Sequence, residues 1–227
     1  MTSLFELPVP SLPIQGNDHS FPVGRIFCVG QNYEAHAREM GAVKRSPPFF
    51  FAKPAQALLT ENGRIPYPPR TEDLHHEVEL VVALDRGGRN LDPEQAAEAV
   101  YAYGVGVDFT RRDVQAESKK KGRPWDTAKG FEHSAPVSAL VPRSATGRLT
   151  GGAISLAVNG ETRQQGDLQD MIWNVEEIIA ELSTWFCLQA GDLIFTGTPA
   201  GVSAVVPGDE LLARIEPVGE LSLRISG

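Results

Sequence analysis

The run His75-His76-Glu77-Val78-Glu79-Leu80-Val81-Val82-Ala83-Leu84 constrains the fold more than any other stretch of the chain. Its five closing apolar residues read as a buried strand over roughly residues 75 to 85, yet two carboxylates stand two positions apart near its start. Side chains in a strand alternate faces, so Glu77 and Glu79 point the same way. Two such charges repel, and taking them out of water is costly unless something positive lies between them. A divalent cation is the simplest such group. A Glu-x-Glu pair alone is more often the solvated face of an edge strand; the apolar run and the two adjacent histidines shift the reading toward a buried site.

A chain of 227 residues suits one domain with a substantial core. Residues 1–20, proline-rich and without periodicity, read as an N-terminal arm, and residues 21–227 as a single domain. The formal charge of −8, from 29 acidic against 21 basic residues, argues against a nucleic-acid footprint. Cys28 and Cys187 both sit in apolar surroundings and read as small core residues in a reducing compartment. No signal-peptide pattern opens the chain and no apolar stretch approaches a membrane span, so a soluble cytoplasmic protein is expected.

Local patterns give a β-rich order with short helices. Arg25 to Val29 and Phe49 to Phe51 read as strands, and Tyr33 to Gly41 as a short helix on which His36 and Glu39 are i, i+3 neighbours. Ile65 to Pro69 is too proline-rich for a central strand. In Ala102 to Phe109 one face carries Tyr103, Val105, Val107 and Phe109. The other carries almost no side chain before Asp108, leaving room for a ligand or a closely approaching backbone. A polar helix from Arg111 to Lys121 places Arg112, Gln115 and Lys119 on one side. Asn159-Gly160 signals a hairpin. Asn174 and Glu177 resemble a capping box before an apolar stripe of Val175, Ile178, Ile179, Leu182 and Phe186. Gly191 to Pro199 is a strand running into a glycine-punctuated turn.

Taken singly, several polar residues have ordinary readings: His36 on a helix surface, Asp108 as a helix cap, Lys129 solvated, Arg112 and Gln115 in exposed helix pairs, Thr198 in a turn. As an ordered set they say more. Val29-Gly30-x-Asn32-Tyr33-x-x-His36, Lys53-Pro54, His75-His76-Glu77-x-Glu79, Asp108 with Arg112-Asp113-x-Gln115, Lys129, and Thr196-Gly197-Thr198-Pro199 together resemble the fumarylacetoacetate hydrolase family from about residue 24 to the end.

The resemblance implies an α+β, β-rich fold, a mixed β-sandwich roll with short helices forming one catalytic domain. It implies Mg²⁺ (or Mn²⁺) held by Glu77, Glu79 and Asp108, whose oxygen donors suit a hard cation. His36 and Glu39 match a water-activating pair on a helix expected to close over bound ligand. Lys129 matches a charge-stabilising lysine, and Arg112, Gln115 and Thr198 match substrate-touching positions. His75 and His76 support the site from behind it or pack against neighbouring strands. Pro47 to Pro54 and Tyr67-Pro68-Pro69 look most like the fumarylpyruvate hydrolases of gentisate breakdown. The implied reaction is hydrolysis of a carbon–carbon bond in a 2,4-dioxo acid by a homodimer. Acylpyruvate hydrolysis with oxaloacetate decarboxylation, or isomerisation of 2-oxo acids, are the alternatives. One departure bears on substrate choice: Gln31 stands where many relatives carry Arg.

Overall fold

The computed structural model describes residues 4–34, 46–60 and 63–227. Its largest sheet is mixed and has eight strands. It runs Phe49–Lys53, Arg25–Gly30, Asp192–Phe195, Val78–Leu84, Val100–Val107, Ala135–Val137 and Leu58–Thr60, with Val141–Pro142 also paired to Val100–Val107. A five-stranded sheet runs Glu161–Asp167, Ala153–Val158, Glu210–Ile215, Gly219–Ser226 and Gly63–Pro66. The proline-rich segment thus contributes an edge strand, where a missing N–H does no harm.

Val78–Leu84 is buried along its whole length. Leu80, Val82 and Leu84 join one core with Tyr103, Val105, Val107 and the apolar stripe of the Val175–Trp185 helix. Val81 and Ala83 join a second core with Ile26, Cys28, Leu193 and Phe195. A strand covered on both faces reads as a continuous apolar run rather than an alternating one. Each of its fully buried large side chains contributes about 1.5–3 kcal/mol.

The helix Val175–Trp185 begins with the capping box Asn174/Glu177, both hydrogen bonds present, and packs against the helix Pro93–Ala99. Asn159 (φ 53°) and Gly160 (φ 82°) form the hairpin turn between Ala153–Val158 and Glu161–Asp167. Ser11–Ile14 and Asn17–Pro22 form an antiparallel hairpin that sends Leu12, Ile14 and Phe21 into the second core.

Three sequence expectations need correcting. The strand over 75 to 85 is two strands. Leu74–His76 belongs to a three-stranded sheet with Thr110–Arg111 and Ser203–Val205, and Val78–Leu84 to the large sheet, with Glu77 between them. The small face of Val100–Val107 is not open space. A Cβ at Gly106 would lie 2.5 Å from Val81 Cγ2 and 2.8 Å from the Phe195 ring, so those side chains already fill it. Cys187 is exposed rather than buried. The helix stops at Trp185, Phe186 turns extended, and the stripe that put residue 186 on the core face ends with the helix.

Candidate active site

Glu77 and Asp108 occupy matching positions. The chain leaves Leu74–His76 and enters Val78–Leu84 at Glu77; it leaves Val100–Val107 and enters Thr110–Arg111 after Asp108. The two crossing points are tied by Asp108 N–H donating to Glu77 C=O at 2.8 Å. Here Glu77 and Asp108 meet Glu79, which leads into the large sheet opposite Gly106. One carboxylate oxygen of each lies within 4.8 Å of the other two, and all three residues are buried.

Such a cluster needs positive charge, and part of it comes from the chain. Lys129, closing the short helix Asp126–Lys129, donates to Glu77 Oε2 at 2.8 Å and to Asp108 Oδ2 at 2.7 Å. Lys53 Nζ, at the end of Phe49–Lys53, lies 2.8 Å from Asp108 Oδ1 and donates to the Lys129 carbonyl. Arg112, at the start of the helix Arg112–Lys120, pairs with Glu77 Oε1 and donates to Gln115 Oε1 at 2.7 Å. Burial opposes charge on Lys129, but Asp108 and Glu77 outweigh it and hold its pKa above the usual lysine value. Glu79 goes the other way. Burial first, then Asp108 and Glu77, push its pKa well above the ordinary carboxylate range, and Gly197 N–H at 2.6 Å offsets this only in part. Three converging buried carboxylate oxygens, one of them still short of positive charge, fit a hard divalent cation.

The turn after Asp192–Phe195 closes another side. Gly197 has φ 99°, and a Cβ there would lie 2.7 Å from Asn32 Cβ, so only glycine brings this N–H onto Glu79. Asn32 bridges the turn to the Val175–Trp185 helix region, donating to the carbonyls of Thr196 and Trp173 and accepting from Trp173 N–H. Thr198 is buried, and its Oγ1 accepts from Gln164 Nε2 at 2.7 Å.

Glu77, Glu79, Arg112, Gln115, Lys129 and Thr198 therefore line one pocket, with about 370 Å³ of empty space partly open to solvent, and Asp108 lies behind it bound to Lys129. Asp108 caps no helix: Arg111 precedes the first residue of the Arg112–Lys120 helix. His36 and Glu39, with residues 35–41 of the helix expected to carry them, lie outside the described residues.

Sequence reasoning left three contributors out. Lys53 stands in the family motif with no role attached to it, although a lysine ending an apolar strand signals a buried partner. Trp125, with Phe49 and Phe51 edge-on to it, walls the pocket. Gln164 holds His76 Nδ1 (2.9 Å), Val78 N–H (3.0 Å), Thr198 and the Pro199 carbonyl together, yet sits in a strand that reads as solvated and gives no local signal.

His76 is fully buried between Gln164 and Ser203, and burial lowers its pKa from 6.5 to about 4. The folded protein thus keeps this imidazole neutral. Its contribution is fully present above pH about 6.5 and is lost as the pH falls to about 4, by about 3 kcal/mol at most. Urea unfolding in chelator between pH 7 and 4 should show this fall in the wild type and a flatter curve for His76→Gln. Parallel curves would refute it.

Residues 25–226 match the fumarylacetoacetate (FAA) hydrolase C-terminal family. A fumarylpyruvate hydrolase from Ralstonia sp is 47% identical over 177 residues, covering 78% of this chain and 92% of that protein. The oxaloacetate tautomerase YcgM of Escherichia coli (strain K12) is 42% identical over 203 residues, covering 89% and 93%. The crystal structure of fumarylpyruvate hydrolase from Pseudomonas aeruginosa in complex with Mn²⁺ and pyruvate superimposes with a TM-score of 0.97 at 48% identity, covering 99% of each chain. The chain belongs to the fumarylacetoacetate hydrolase family of enzymes.

Proposed function

We propose that the chain is a divalent-metal-dependent hydrolase of the carbon–carbon bond of 2,4-dioxo acids, acting on fumarylpyruvate to give fumarate and pyruvate in aromatic catabolism. The observation that carries this is the convergence of three buried carboxylates, Lys129 and the Arg112–Gln115 pair on one pocket, together with the likeness to fumarylpyruvate hydrolases. The resemblance carries the assignment of residues 21–227 as one catalytic unit in a homodimer.

Glu77, Glu79 and Asp108 would hold Mg²⁺ or Mn²⁺, which when bound supplies an electrophilic centre for negative charge developing on oxo-acid oxygens. The chain's own groups do the rest. Arg112, Gln115 and Thr198 orient the substrate's polar end. His36 takes a proton from water, and Glu39 stabilises the resulting imidazolium. The water oxygen attacks the carbonyl farther from the substrate carboxylate. An ammonium has three N–H donors and Lys129 spends two on Glu77 and Asp108, so the third is available to the oxyanion. Collapse of that oxyanion releases the acid and leaves a three-carbon enolate, which takes up a proton as pyruvate.

Oxaloacetate suits the same pocket, as the tautomerase relative suggests; proton transfer on it needs the enolate-stabilising groups but no attacking water. The deciding experiment follows the ultraviolet absorbance of fumarylpyruvate, acetylpyruvate and oxaloacetate with Mg²⁺ or Mn²⁺ and with chelator. Metal-dependent loss mainly of fumarylpyruvate is expected, and His36→Ala should lower it by about 10²–10⁴-fold while metal binding survives. Loss of oxaloacetate's enol form alone, untouched by His36→Ala, would favour tautomerisation.

A further inference from the structure

Lys119 lines the pocket and has no part in the mechanism above. It stands on the same face of the Arg112–Lys120 helix as Arg112 and Gln115, at i+7 from the arginine, so the helix presents a guanidinium, an amide and an ammonium in a row along roughly 10 Å of its axis. The other pocket cations are engaged: Arg112 with Glu77, Lys129 with Glu77 and Asp108. Among the described residues, Lys119 has no carboxylate within ion-pair distance.

Its ammonium is nevertheless held in place. Lys119 Nζ lies 5.0 Å from the centroid of the Trp125 ring, and Trp125 is braced edge-on by Phe49 at 5.6 Å and Phe51 at 5.8 Å. Partial burial and the charge of Arg112 both disfavour the protonated form there and outweigh Glu77, so this part of the pocket is short of negative charge. Lys119 is exposed whereas Glu77, Glu79 and Lys129 are buried, so it marks the open side of the pocket. Gly30, Gln31 and Thr198, also in the lining, bring no charge.

We propose that Lys119 is a specificity-determining residue that binds a second, distal carboxylate, so that the enzyme selects dicarboxylic oxo acids whose acyl chain lies along Phe49, Phe51 and Trp125. This rests on the placement of the oxo-acid end at the acidic cluster.

The test compares kcat/KM for fumarylpyruvate, which has the distal carboxylate, with acetylpyruvate, which has a methyl group there. Lys119→Gln should collapse the ratio of the two by about 10–100-fold, mainly through KM for fumarylpyruvate, and Lys119→Arg should restore most of it. An unchanged ratio would overturn the proposal. If the wild type turns over neither compound, the proposed reaction fails, and Lys119 is judged by binding instead. Tryptophan fluorescence would then compare fumarate with crotonate, its monocarboxylic analogue. A preference for fumarate that disappears in Lys119→Gln supports the proposal; no preference in the wild type, or one that survives the substitution, overturns it.

Discussion

Asp108→Asn is expected to abolish divalent-cation binding, to lower turnover by about 10³-fold, and to cost the metal-free fold about 3–5 kcal/mol. The substitution keeps the shape and removes only the charge. Asp108 is fully buried, with Lys53 Nζ 2.8 Å from one oxygen and Lys129 Nζ 2.7 Å from the other. Without the charge two buried ammoniums must share the two glutamates, and the stability loss follows from stranding them. A capping role would predict almost no effect, since Asn caps a helix as well as Asp. Urea unfolding in chelator and calorimetric titration with Mn²⁺ measure both quantities. Retained cation binding with a stability change below about 1 kcal/mol would remove Asp108 from the site.

Where function is concentrated in short-range pattern, the sequence was readable. The Asn174/Glu177 box, the Asn159-Gly160 turn and the apolar run Leu80 to Leu84 each depend on residues within one turn or one strand, and each stands in the structure as expected. The pairing of Glu77 with Glu79 is legible because burying such charges demands a common partner; Asp108 joins them only through the family resemblance, since on its own it reads as a helix cap. What stayed hidden depends on contacts across the fold. The change of sheet at Glu77 leaves no mark in a run that is extended on both sides. Gly104 and Gly106 announce a close approach, but whether a ligand, backbone or side chain fills it is decided by Val81, Phe195, Val137 and Leu140. Gln164 reaches His76, 88 residues away, from a strand whose neighbours are mostly exposed. Cys187 reads as buried because its neighbours Trp185, Phe186 and Leu188 are apolar, but Trp185 and Phe186 are themselves exposed where the helix ends, so apolar neighbours in sequence do not place it in the core.

Lys129→Met should separate the two jobs of the lysine. Met has a similar length and no charge, so the metal-free protein is left with three clustered carboxylates facing only Lys53 and Arg112. Its stability is expected to fall by about 3–5 kcal/mol. Unlike the loss in Asp108→Asn, this one should be recovered by divalent cation, because the variant keeps all three carboxylates and lacks the ammonium that competes for them. A cation at one hundred times its Kd returns about 2.7 kcal/mol, and affinity should exceed that of the wild type. Turnover should not recover. The third N–H of Lys129 is the donor assigned to the oxyanion, and losing one such donor costs about 10²–10³-fold in kcat even with the metal site saturated. Thermal unfolding with and without Mn²⁺, set beside kcat at saturating metal, reads both effects in one variant. Activity returning together with stability would make Lys129 a charge-balancing residue only, and the oxyanion would then need another donor from the pocket.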